Sequence, residues 1–210
     1  MSSLGRTMIT TNPVTDKLRN GQPAVGTWLT LCSPVAAEAM AHVGWDWLVV
    51  DAEHSPVGFE TMVNCFRAAQ LGGAIPMARV PWNDTVWIQR TLDAGALGLV
   101  VPMVNSAEDA KAVVSNMKYA TRGQRSFGGS RVAPYIEGEY RTWADENLAV
   151  IVMIETISSC RKPRTKPGMR SPTRTPPTAG YRPNCCRWPT SCAGCKARML
   201  RRRRATTTRR

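Results

Sequence analysis

Short apolar runs alternate with longer stretches in which apolar residues recur at helical spacing, and the unit repeats roughly every 25–30 residues. Ala24 to Leu31, Trp45 to Val50, Ile75 to Val80, Leu97 to Val104 and Leu148 to Ile154 read as strands. Thr15 to Asn20, Val35 to Val43, Gly58 to Leu71, Thr85 to Asp93 and Ser106 to Tyr119 read as helices, with a shorter one within Glu137 to Glu146. The punctuation agrees. Ser33-Pro34 supplies an N-cap and a first-turn proline, and Asn83-Asp84 and Ser106 supply further caps. Gly44, Gly72-Gly73 and Gly95 close the helices that precede them. The strands are apolar on both faces, so both faces must be covered, which predicts a parallel α/β fold.

Three of these strands end in chemistry. Asp51-Ala52-Glu53-His54 follows the second, Arg79 closes the third and Glu155 follows the fifth. Catalytic groups at successive strand C-termini favour a TIM-type (β/α)8 barrel over a doubly wound sheet. No G-x-G-x-x-G opens the first helix, which weakens a dinucleotide-binding alternative. The count is short, however. Such a barrel takes about 250 residues and eight strands, and the pattern supplies five strands before Ile157. The expectation is a partial barrel over residues 1–157 followed by a tail over 158–210.

Composition sharpens that boundary. The chain carries 28 Lys+Arg and 15 Asp+Glu, a net charge of +13 that would ordinarily suggest nucleic acid or an anionic membrane. Residues 1–157 hold all 15 acids and only 12 of the bases, so that part is slightly acidic. The tail holds the remaining 16 bases, seven of the 15 prolines and no acid, a composition that predicts disorder. Cysteine divides the same way. Cys32 and Cys65 fall in helical patterns and read as buried thiols, whereas five cysteines crowd the tail. The body therefore reads as a reduced, cytoplasmic protein. No apolar run of about 18 residues or signal-peptide core occurs, so no membrane contact is expected.

Gly26-Thr27-Trp28, Asp51 to His54, Ala78 to Asp84 (ARVPWND), Leu92-Asp93-Ala94-Gly95, Val101-Pro102-Met103-Val104 and Ile154-Glu155-Thr156 stand in an order and spacing that resemble the HpcH/HpaI aldolase family, over about residues 13–157. Each motif alone is weak; six in register are specific. The resemblance implies a metal-dependent class II lyase that cleaves a 4-hydroxy-2-oxo acid to pyruvate and an aldehyde. It implies His54 as general acid/base, Asp93 as its hydrogen-bonded partner, and Arg79 as the cation that binds the 2-oxo acid and stabilises the enolate. Glu155 would ligate Mg²⁺ or Mn²⁺, Asp51 would support the metal water and Arg79, and Trp28 and Arg125 would contribute to substrate binding, Arg125 from a loop at the barrel mouth. Family members are homo-oligomers, trimers or dimers of trimers.

The chemistry suits those residue types. A 2-oxo acid leaves an enolate when its C3–C4 bond breaks, and positive centres stabilise it. A base near neutrality takes the hydroxyl proton, which fits histidine. Two departures stand out. Met153 occupies a position where many members carry Gln, and the Gly-Pro-x-Asp-Leu motif that carries the family's second metal carboxylate does not occur. Each residue also has a plain reading. His54 alone is also a loop histidine, Asp93 a late-helix polar residue, Arg79 a solvated strand end, Glu155 a helix N-terminal acid, and Arg125 admits both readings. His42 reads as a packed or surface histidine.

The tail admits three readings. Cys185-Cys186 with Cys192 and Cys195 has irregular spacing for zinc, and no histidine follows residue 54. Arg201 to Arg204 would bind polyanions whatever their origin, so a non-catalytic nucleic-acid-binding protein is one alternative; an acyl-CoA lyase of the same superfamily is another. The third reading, which accounts best for the abrupt loss of acids and of the motif series, is translation out of frame after Ile157. That reading predicts an impaired chain whose open sheet exposes apolar surface, prone to aggregate or dependent on partners. It also predicts that resequencing across codons 150–175 reveals a neighbouring frame encoding a Gly-Pro-x-Asp-Leu segment; a confirmed frame with no such alternative contradicts it.

Overall fold

In the computed structural model the described residues are 8–156. The tail over 158–210, with its expected disorder, cysteine cluster and arginine run, lies outside them.

Seven helical residues, α1 (Pro13–Arg19), precede the first strand, β1 (Gly26–Leu29). Then α2 (Pro34–Ala41), β2 (Trp47–Asp51), α3 (Phe59–Leu71), β3 (Ile75–Arg79), α4 (Thr85–Asp93), β4 (Gly98–Val101) and α5 (Ala107–Met117) follow in strict alternation. A 3-10 turn (Ala133–Tyr135), α6 (Tyr140–Asn147) and β5 (Ala149–Val152) complete the described chain. All strand pairs are parallel, and their spatial order is the order of the sequence. A doubly wound sheet reverses strand order at its centre. An unreversed order with right-handed crossovers puts every helix on one face and curls the sheet around the other. The described residues are thus a five-stranded part of a TIM-like barrel, with the helices outside.

The N-terminal signals act as the sequence implies. Ser33 Oγ accepts the Ala36 N–H, Asp84 accepts from Trp87 and Ser106 accepts from Asp109. Glu139 caps α6 by accepting from Arg141 and Thr142. Gly95 adopts φ +115°, in the left-handed region, where the guanidinium of Arg131 lies over its missing Cβ. At Gly72 a Cβ would come within 2.3 Å of Ala41 Cβ, so glycine is what lets α3 close against α2.

β2, β3 and β4 form the buried centre: Leu48, Met77, Leu99 and Val101 are completely enclosed. Asn12 closes the floor of the sheet, the end where strands begin. It is fully buried, its amide donates to the Leu97 carbonyl at 2.9 Å, and its carbonyl oxygen accepts from Val14 to cap α1. The edge strands and the residues just beyond them are more exposed: Trp28 on β1, Leu31 after it and Ile154 after β5 each show more than 40% of their surface.

Two expectations are corrected. Helix α5 ends at Met117, not at Tyr119. Tyr119 leaves the helix because its N–H bonds Asp145 Oδ1 at 2.9 Å, and its ring is buried beneath Arg125 at 4.6 Å. Cys32 is neither helical nor fully buried; it occupies the bend before α2 at φ +53°. Cys65 is buried in α3, and burial pushes its thiol up from the ordinary value. His42 ends α2 on the surface.

Candidate active site

β2 and β3 pair with Asp51 directly opposite Arg79 at their C-terminal ends. The two side chains meet as a fork on a carboxylate: Arg79 Nε donates to Asp51 Oδ1 at 2.9 Å and Nη2 to Oδ2 at 2.6 Å. Both are largely shielded, at 12% and 4% side-chain exposure. This is the geometry that a planar guanidinium and a carboxylate prefer.

Asp51 does more than hold Arg79. Its Oδ1 also accepts the backbone N–H of Glu53 at 3.1 Å and of His54 at 3.2 Å. The Ser55 hydroxyl donates to its carbonyl. One carboxylate therefore folds the turn that displays Glu53 and His54. Burial alone would raise Asp51, but the bonds from Arg79, His54 and Glu53 outweigh it and hold the carboxyl below its ordinary value. Asp51 in turn pushes Arg79 above the ordinary arginine value, with Glu53 and Glu155 adding to it.

Arg79 has two further neighbours. Its Nη1 lies 3.1 Å from Glu53 Oε2, and its Cζ sits 4.8 Å from the centroid of the Trp28 ring on β1. His54 projects into solvent at 69% exposure, with Nε2 3.6 Å from Glu53 Oε1. Glu155 approaches from beyond β5, where its Oε2 accepts the Met103 N–H at 2.7 Å. Met103 adopts φ +55° there, and Asn105 ties the two strand ends together by accepting from the Thr156 hydroxyl at 2.6 Å. The structure thus gathers Trp28, Asp51, His54, Arg79 and Glu155 at one end of the sheet. Glu53 was missing from the expected set. Its signal was present in the sequence: it precedes His54 and stands two residues beyond Asp51, on the same strand end.

Asp93 and Arg125 are elsewhere. Helix α4 returns the chain from the C-terminal end of β3 to the N-terminal end of β4, so its last residue, Asp93, lies at the sheet's floor. His54 is at the opposite end, and no hydrogen bond or ion pair joins the two. Asp93 Oδ1 instead accepts from Arg125 Nη2 at 2.7 Å. Arg125 is buried, its guanidinium against the edge-to-face pair of Tyr119 and Tyr140 rings, and does not open onto the strand-end cluster of its own chain. Its expected place at the mouth is corrected accordingly.

The cluster's three carboxylates outnumber its one guanidinium, so it is net negative and suits a hard divalent cation in charge. It does not suit one in ligand number. Asp51 and Glu53 are turned toward Arg79, and among the described residues no three His, Cys, Asp or Glu side chains converge as a ligand set. The described residues alone do not complete a metal site.

A curled parallel sheet with ionised side chains at its C-terminal rim defines the class of barrel proteins that carry chemistry at strand ends. The comparisons are more specific. The chain belongs to the HpcH/HpaI aldolase/citrate lyase family, which matches residues 24–162. It is 39% identical over 145 residues to the hydroxypyruvate/pyruvate aldolase of Rhizorhabdus wittichii, covering 69% of this chain and 58% of that one. It is 38% identical over 153 residues to the 4-hydroxy-2-oxo-heptane-1,7-dioate aldolase of Klebsiella pneumoniae, covering 69% and 56%. Among solved structures, an HpcH/HpaI aldolase/citrate lyase family protein from Burkholderia cenocepacia aligns with TM-score 0.66 at 34% identity, covering 71% of this chain and 62% of that one. The chain spans little more than half the length of the two aldolases.

Because Asp51 is held below its ordinary value, its contribution to stability is fully present above the unfolded carboxyl value, about pH 4, and fades as pH falls through the folded value. Asp51→Asn is expected to lower unfolding free energy by about 1–3 kcal/mol at pH 7. The difference from the parent should shrink toward pH 3, measured by urea unfolding at both pH values. A difference that does not change with pH contradicts this role.

Proposed function

We propose that this chain derives from a carbon–carbon lyase that cleaves a 4-hydroxy-2-oxo acid to pyruvate and an aldehyde. The observation that carries the reading is Arg79, oriented on three sides by Asp51, Glu53 and Trp28 beside an exposed imidazole. His54 takes the proton from the C4 hydroxyl, the C3–C4 bond breaks with its electron pair passing to the 2-oxo group, and the aldehyde departs. The enolate oxygen develops charge facing Arg79, and protonation at C3 yields pyruvate. Trp28 fixes the guanidinium plane and borders the substrate. The activities of the aldolase relatives and the family match support this class of substrate.

Glu155 is proposed to contribute one ligand to Mg²⁺ or Mn²⁺, with the remaining ligands supplied from outside the described residues. The Asp93 role, proton partner of His54, is open to this fold only through a second copy, because one chain holds the two at opposite ends. Arg125 would act in that case by positioning Asp93. We take residues 1–157 as the family unit and the tail as foreign to it, which makes weak activity the expectation for this chain. No described helix is long and apolar enough to cross a membrane, and the charge excess lies outside the family unit, so a small-molecule substrate is favoured over nucleic acid.

With 4-hydroxy-2-oxopentanoate and Mn²⁺, the chain should release pyruvate above the uncatalysed rate. His54→Ala should lower kcat by about 10²- to 10⁴-fold, and Arg79→Ala by about 10²- to 10³-fold. Pyruvate release that survives both substitutions, or none from the parent chain, contradicts the lyase reading for this molecule.

A further inference from the structure

A well-formed cavity bordered by described residues stands away from the strand-end cluster. It lies at the opposite end of the sheet, between the C-terminal turn of α3 and the starts of β3 and β4, and has a volume of about 640 Å³. That is within the range of sites that enclose small organic molecules, roughly 300–1,000 Å³. Its wall is mainly apolar, with Ile9, Ile75 and Leu97 among its residues. Two guanidinium groups, Arg67 and Arg131, border it as well.

Arg79 and Arg125 each meet a carboxylate, whereas neither Arg67 nor Arg131 forms an ion pair among the described residues. Arg131 donates only to neutral oxygens: Nε to the Ala94 carbonyl at 2.8 Å and Nη2 to Gln70 Oε1 at 2.7 Å. Those bonds hold the guanidinium over Gly95 through Nε and Nη2, with no bond from Nη1 among the described residues. Arg67 is exposed and, among the described residues, bonds only Asn64, at 3.2 Å. Burial, and next the charge of Arg67, push Arg131 below the ordinary arginine value. Two like charges at the rim of an apolar cavity repel each other and have no carboxylate counterion among the described residues. An anion between them would relieve both costs, and an apolar body attached to it would fill the wall.

We propose that the floor cavity binds an amphipathic organic anion, a carboxylate or phosphate head held by Arg67 and Arg131 with its apolar chain against Ile9, Ile75 and Leu97. The site is separate from the strand-end chemistry by the full length of the sheet, so occupancy does not depend on the lyase reading.

Titration of the full chain with octanoate, octyl phosphate and octan-1-ol, followed by isothermal calorimetry, tests it. One-to-one binding of an anion, with octan-1-ol at least about tenfold weaker, is expected. Preference between octanoate and octyl phosphate distinguishes the two head groups. Arg67→Ala, at an exposed position that leaves the core intact, should weaken anion binding about tenfold. Arg131→Lys, which keeps the charge and loses the fixed fork, should weaken it by less, and His54→Ala should leave it unchanged. No binding, equal binding of octan-1-ol, or an Arg67→Ala titration that matches the parent overturns the proposal.

Discussion

The two-point contact between Arg79 and Asp51 is the constraint on which the strand-end site depends. It requires parallel pairing in one register, because a one-residue slip of β3 against β2 would turn one partner to the other face of the sheet. With the register set, the carboxylate fixes the guanidinium plane and simultaneously caps the turn that carries Glu53 and His54. Trp28 can then lie against Arg79 only because β1 pairs with β2 in its own register, Trp28 opposite Val49. Glu155 arrives by the same logic from the far side. Its carboxylate caps the Met103 N–H where β4 has just ended, so a residue beyond β5 is carried toward a cluster built on β1 to β3.

Much of this architecture was legible in the residues. Buried parallel strands need uninterrupted apolar runs, and the chain displays them; helices that start from loops need caps, and Ser33, Asp84 and Ser106 supply them. Chemistry at strand ends was legible because an ionised side chain after an apolar run has only the sheet's rim to occupy. The positions that escaped are those whose neighbours are set by direction in space. Asp93 belongs to a motif in register with the others, yet α4 runs against the strands and delivers it to the floor. Arg125 follows it there because the segment after α5 also lies at that end, held by Tyr119 and Tyr140. Glu53 escaped for a different reason. Two carboxylates precede His54, and only the turn made by Asp51 decides that both face Arg79.

The two ends of the sheet differ electrostatically in a way that composition hides. At the C-terminal rim carboxylates outnumber cations, and every charge near Arg79 is compensated or over-compensated. At the floor, Asp93 and Arg125 neutralise each other, while Arg67 and Arg131, beside an apolar cavity, have no carboxylate partner among the described residues. A rim that is net negative attracts cations and repels anions. The floor has the reverse character. The net charge of +13 describes neither end, because it comes from residues 158–210.

The central claim is that Asp51 and Arg79 act as one unit. A double-mutant cycle on unfolding free energy at pH 7, using Asp51→Asn, Arg79→Gln and the two together, measures that directly. Coupled residues in one hydrogen-bonded network show interaction energies of about 0.5–3 kcal/mol, and the account predicts a favourable value of at least about 1 kcal/mol. Additive effects of the two substitutions would mean that the pair does not organise the site, and would contradict it.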